Sequence, residues 1–130
     1  MGAIFEYKID HDLKINYDII KGDVDLNMVI QHEKFRISSE KFDENYNSLV
    51  DIRGASFINF MEDIGKFCDF LDSYTQQLNI NMERKIALVT SSPSEVVNST
   101  IFALGLKQKG TSLKFESFST EEAAIKWLSH

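Results

Sequence analysis

Asp51 and Arg53 stand two apart in Ser48-Leu49-Val50-Asp51-Ile52-Arg53, a stretch that reads as a short strand closed by Gly54. In a strand that spacing puts both side chains on one face. At the carboxyl end of such a strand, where open α/β sheets hold their ligands, a guanidinium can take a carboxylate or a phosphate. The plainer reading is an ion pair that ties down neighbouring loops or helix ends. Further along, Thr90, Ser91, Ser92 and Ser94 surround a helix start signalled by Ser92-Pro93-Ser94-Glu95. Free amides there attract anions, although Ser92 as an ordinary cap, with Pro93 at the first helical position, explains the spacing without a ligand. Asp51, Arg53, Ser91 and Ser92 are therefore the candidate anion or ligand-binding residues.

No stronger chemistry is spelled out. The single cysteine, Cys68, shares an apolar helical stripe with Ile64 and Leu71 and reads as a small core residue rather than a nucleophile. Of the three histidines only His32 falls inside an expected element, since His11 sits in a turn and His130 is the last residue. Neither a triad nor a zinc-ligand spacing can be assembled from them, and the glycine-rich loop and lysine of nucleotide-binding proteins are missing. The expectation is no enzyme, no metal and no cofactor. The acids Asp43 and Glu44, and those opening the first helix, read as a solvated face.

A chain of 130 residues has length for about one domain, here residues 1–130. Apolar residues make up 43% and charged residues 26%, with ten Phe and one Pro, a folding composition rather than a disordered one. A net charge of -6 without a basic patch argues against nucleic acid. One cysteine and an N-terminus without a signal-peptide pattern suggest a reducing cytoplasm. No uninterrupted apolar run approaches the ~20 residues of a bilayer span, so no integral membrane segment is expected.

The elements that must position these residues follow from periodicity. Phe5, Tyr7 and Ile9, then Leu13, Ile15, Tyr17 and Ile19, alternate around Asp10-His11-Asp12 as a hairpin at the sheet edge. Its other face, Glu6 and Lys8 with Lys14, Asn16 and Asp18, should meet water. Asp23 to Arg36 has acids first and bases last, as a helix dipole favours. Ser38 to Asn47 reads as a loop. Phe60, Ile64, Phe67, Cys68, Leu71, Tyr74 and Leu78 mark a long amphipathic helix, with Asn59 and Glu62 spaced as a capping-box variant. Phe70 points off that stripe, toward a pocket or a contact with a second copy of the chain. Ile86-Ala87-Leu88-Val89 reads as a strand buried on both faces in the middle of the sheet. A helix from Ser92 to about Lys109 is stopped by Gly110. Ser112 to Phe118 gives a last strand, and Ser119-Thr120-Glu121-Glu122 launches a terminal helix that docks Trp127 and Leu128. The order β-β-α-β-α-β-α-β-α predicts an α/β single-domain sandwich. Its sheet is mixed and mostly parallel, of about five strands with about four helices.

The succession LVDIRGASF, long helix, KIALVTSSP and FESFSTEEAAIKWL resembles the STAS-like bacterial domains grouped with the anti-sigma-factor antagonists and the CRAL-TRIO lipid-transfer fold. The matching positions include Asp51 and Arg53, the Val-Thr with Ser and Pro before a helix, and Phe118, Thr120, Ala124, Trp127 and Leu128. In part of that superfamily the resemblance implies a phosphoserine switch, in an Asp-Ser-Ser-Gly motif after the Asp-bearing strand. The corresponding stretch here runs through Asn59-Phe60-Met61-Glu62 and has no hydroxyl. Two functions follow. The first is a non-enzymatic regulatory module that binds another cytoplasmic protein through Ser56, Phe57, Asn59, Phe60, Met61 and Glu62, without the switch serine. The second is a carrier or sensor of a small apolar or lipid-like ligand held between the long helix and the sheet.

Overall fold

The computed structural model of the chain describes residues 2–39, 46–78, 84–91 and 113–129. Alternation makes β1 (Ile4–Asp10) and β2 (Ile15–Val24) an antiparallel hairpin, with Asp10 opposite Ile15 and the turn 11–14 between them. The Asp10 carboxylate accepts from the amides of Asp12 and Leu13 at 2.9 and 3.0 Å, a local side-chain bond that favours a turn over continued ladder. Leu13, read from sequence as part of the second strand, is consequently an exposed turn residue.

β2 runs on through Gly22 to Val24, past the point where the sequence suggested a helix. The reason is Gly22 itself. Its φ of 86° is open to glycine, and a Cβ there would lie 2.2 Å from the Gly2 carbonyl oxygen. Gly22→Ala should therefore destabilise the protein by about 2 kcal/mol or more, through the left-handed backbone and the displaced start of the chain. Thermal unfolding checks this, and a melting temperature within a degree of wild type would refute the contact.

α1 (Leu26–Ile37) then begins behind Asp25, whose carboxylate accepts from the Met28 amide at 2.8 Å, and ends with Lys34 and Arg36 in its last turn. β3 (Asn47–Phe57) is longer than the strand expected to close at Gly54, so Ser56 and Phe57 belong to it. One extra β3 residue is accommodated where pairing with β2 steps from Ile19↔Asp51 to Lys21↔Gly54, a bulge that keeps the apolar faces aligned on either side. α2 (Phe60–Leu78), β4 (Arg84–Val89), β5 (Leu113–Phe118) and α3 (Glu121–Leu128) complete the described elements. The expected helix from Ser92 to Lys109 lies outside the described residues, as does Ser92.

The sheet is mixed and follows chain order, β1-β2-β3-β4-β5, antiparallel at β1–β2 and parallel elsewhere. β4 is interior as expected, though β3 takes the middle position. One face carries α1 and α2. Leu26, Val29, Ile30, Phe67 and Cys68 pack there on Ile20, Val24, Ile52 and Ile86. Phe70 joins this packing, its ring centroid 6.3 Å from that of Phe67, rather than pointing off the stripe as the spacing suggested. The other face carries α3, with Ala124 and Leu128 on Ile15, Tyr17, Leu49, Ala87 and Val89. Thr120, rather than Ser119, caps α3 by accepting from the Ala123 amide at 3.2 Å. Trp127 packs half-buried beside Phe118, with Lys85 Nζ 5.2 Å from its ring and 3.1 Å from its carbonyl oxygen.

β2 departs most from the sequence reading. Asn16 and Asp18, expected on a wet face, are 0% and 1% exposed, because α1 lies over that face. Asp18 alternates into a covered layer, and His32 and Arg36 of α1 supply its partners.

Candidate functional site

Three groups of residues merit chemical scrutiny. The first lies where β3 passes into α2. The Ile58 amide donates to the Val24 carbonyl at 2.8 Å, pinning the end of β3 beside the end of β2. Asn59 then takes φ 56°, a left-handed residue that Asn tolerates better than most. Its carbonyl accepts from the amides of Glu62 and Asp63 at 3.2 and 3.1 Å. The capping box suggested by Asn59 and Glu62 is thus replaced by a left-handed corner, since a capping residue has extended backbone. Glu62 and Asp63 still favour the helix dipole from its first turn.

This corner sorts the six expected partner-binding residues. Ser56, Asn59 and Glu62 are exposed, whereas Phe57 and Phe60 are half-buried, edge to face at 6.2 Å, and pack onto the core. Met61 stands in the first turn of α2. The residue that sequence reading missed is Ile58, 46% exposed at the apex. Its signal was the strand alternation carried one residue further: with Phe57 turned in, Ile58 must turn out.

The second group unites Asp51, Arg53 and Ser91. Arg53 holds Asp51 in a fork, Nε to Oδ1 at 2.9 Å and Nη2 to Oδ2 at 2.7 Å, and its amide adds a third bond to Oδ1 at 3.1 Å. The Ser91 hydroxyl donates to the Arg53 carbonyl at 3.2 Å. Asp51 stands opposite Val89, the last residue of β4, but in the interior of β3. Hydrogen bonding from Arg53 is the chief cause that lowers the Asp51 carboxyl below its usual range, against some burial. The fork occupies the guanidinium edge that an anion would need, and Ser92 lies outside the described residues.

A lowered carboxyl fixes the sign of a pH effect. The fork's contribution is present above the ordinary aspartate range and is lost as pH falls through the lower folded value. Arg53→Ala should flatten the acid limb of the stability curve below about pH 4 and cost about 0.2–1 kcal/mol at neutral pH, Arg53 being 42% exposed. Urea unfolding at several acidic pH values tests this. An unchanged acid limb would mean that Asp51 owes its shift to something else.

The third group was not foreseen. Under α1, Asp18 meets His32 Nε2 through Oδ1 at 3.0 Å and Arg36 Nη1 through Oδ2 at 3.3 Å, and Arg36 Nη2 also bonds the Glu33 carboxylate. Tyr7 lies beneath the Arg36 guanidinium, 5.9 Å from ring centroid, and Phe5 stacks on His32 at 4.7 Å. Burial raises the Tyr7 phenol, and burial likewise raises the Glu33 carboxyl, with Arg36 opposing. One ligand atom each from Asp18, His32 and Glu33 lies within 4.8 Å of the others, a spacing that a metal ion could bridge. Arg36 already supplies a cation to both carboxylates there. The sequence carried one sign of this cluster: Asn16 and Asp18 interrupt the run Ile15, Tyr17, Ile19, Ile20.

No known family's sequence profile matches the chain, and no curated protein matches it. Among solved structures it is similar to an uncharacterized protein of the DUF3478 family from Shewanella loihica PV-4, which has a SpoIIAA-like fold. The TM-score is 0.59 at 12% sequence identity, over 98% of this chain and 94% of that one. The architecture is therefore SpoIIAA-like, which bears out the STAS-like resemblance at the level of fold. No described helix is long and apolar enough to cross a membrane.

Proposed function

We propose that this protein is a non-enzymatic, STAS-like regulatory module of the cytoplasm that binds another protein through the β3–α2 corner. The carrying observation is Ile58, 46% exposed on a corner fixed by the Val24 bond and the left-handed Asn59. A large apolar side chain held out on a rigid turn, rimmed by Ser56, Asn59 and Glu62, has the form of an interface anchor within a polar rim. Met28, 42% exposed, stands in the first turn of α1, shortly after Val24 in the chain. Phe57 and Phe60 act from behind, as packing that stiffens the corner.

Binding of this kind is constitutive with respect to serine phosphorylation at Asn59, Phe60 and Met61, which carry no hydroxyl. Ser56, exposed near the end of β3, is the nearest described hydroxyl upstream. The test is site-specific photo-crosslinking in the native cells, with the probe at Glu62 on the rim and a control probe at Glu116 of β5, both exposed. Expected is one dominant protein adduct from residue 62, absent from the control and lost when Ile58→Asp is added at unchanged melting temperature. Equal adducts from both positions would refute the site. Stoichiometric phosphate on Ser56 that abolishes the adduct would restore a switch in a shifted register.

A further inference from the structure

We propose that Asp18, His32, Glu33 and Arg36, with Tyr7, form a one-proton clasp: the proton holds the last turns of α1 against β1 and β2, and its loss loosens them. This goes beyond the partner-binding reading and does not depend on it.

The geometry states the charge problem. Two carboxyl groups face one guanidinium, which stays charged in proteins. Side-chain exposure is 1% for Asp18, 12% for Glu33, 5% for Arg36 and 10% for His32, so water screens the cluster poorly. With both acids ionised and the imidazole neutral, one negative charge is left over in a poorly solvated layer. Like charges at such a site push one carboxyl to keep its proton. Glu33 is that group: burial and the charge of Asp18 act on it together, and a proton on it is a hydrogen-bond donor to Asp18.

The groups facing Glu33 define the device. From β2 comes Asp18, and from α1 itself come Arg36 and His32, the latter with Nε2 3.0 Å from Asp18 Oδ1. From β1 comes the Tyr7 phenol, which Ser39 beyond α1 also approaches. Arg84 on β4 donates to the Ser48 hydroxyl at 3.2 Å. A single proton closes the charge count at zero with every contact in place. A divalent cation overshoots to +1 and must compete with Arg36 for the carboxylates.

The sign follows from the raised carboxyl. Its stabilisation is complete below the ordinary glutamate value, about 4.3, and disappears as pH rises through the folded value. Within that window the equilibrium that closes α1 onto the sheet weakens by up to about tenfold per pH unit, for one proton released. Because the carboxyl that repels Asp18 belongs to α1, the loosening is local to that helix and to β1–β2.

Two measurements on the full chain decide the matter between pH 4 and 9. Carbon-13 NMR of the Glu33 side-chain carboxyl should show a midpoint above the ordinary glutamate range. Hydrogen-exchange protection factors of α1 amides should fall through the same midpoint, while those of α3 stay level. In Glu33→Gln, which keeps the shape and a donor to Asp18 but has no carboxyl proton to lose, the fall in α1 protection through that midpoint should vanish. A Glu33 midpoint at the ordinary value overturns the proposal, as does an unchanged pH profile in Glu33→Gln. So does one tightly held divalent metal per chain, found by elemental analysis of protein purified without chelator. Should the Gln variant not fold, the wild-type carbon-13 midpoint decides alone.

Discussion

Arg36→Met should cost about 3–5 kcal/mol of stability, the largest loss expected from any single replacement in this protein. The methionine fills most of the arginine's apolar volume, so packing against Tyr7 largely survives. What disappears is the cation that contacts both Asp18 and Glu33. Asp18, 1% exposed, would keep its contact with His32, and water reaches it poorly. An uncompensated buried charge is far more damaging than absence of the whole pair. A triple variant that also replaces Asp18 with Asn and Glu33 with Gln should therefore recover much of the loss. Urea unfolding of wild type, single and triple variants supplies the comparison. A cost below about 1 kcal/mol for Arg36→Met would show that solvent enters and replaces the guanidinium.

Leu49→Ala should cost about 3 kcal/mol, from lost transfer energy and the cavity left behind. Leu49 is 2% exposed on the middle strand, between Tyr17 of β2 and Ala87 of β4 in register, and under α3. Ala87 has no methylene with which to fill the gap, and the strands on either side are held by their ladders. Collapse into the cavity would have to come from α3. The variant should thus lose protection from hydrogen exchange first in α3, with α1 and α2 on the opposite face spared. Equal loss on both faces would mean that the two apolar layers melt as one, and a cost under about 1 kcal/mol would mean that α3 resettles freely.

The sequence showed strands and helices well where side chains sort by local chemistry alone. Phe5-Tyr7-Ile9 and Ile86-Ala87-Leu88-Val89 carry their own periodicity, and β1 and β4 fall where it puts them. The long stripe from Phe60 to Cys68 likewise yields α2. Polar residues were misread when their partners lay elsewhere in the chain. Asn16 and Asp18 alternate as a solvent face would, and the partners of Asp18, His32 and Arg36, lie on α1. Boundaries failed for a related reason. Gly22 and Gly54 look like stops, yet one supplies a left-handed residue within β2 and the other follows a bulge within β3. Of the residues named from the sequence, Asp51 and Arg53 pair with each other across two positions of one strand. The corner after β3 exposes Ile58, a residue that the alternation of its neighbours could have named.

Sheet neighbours that are also neighbours along the chain have a consequence during synthesis. Each strand emerging from the ribosome finds its partner already made, so β1–β2, then β3, then β4 can accumulate in the order of translation. The face covered by α1 and α2 closes early. The other face, Ile15, Tyr17, Leu49, Ala87 and Val89, has to wait for Ala124 and Leu128 of α3. Until that helix clears the exit tunnel, the nascent chain carries an apolar surface of half-finished core, and this is the interval in which a chaperone would hold it.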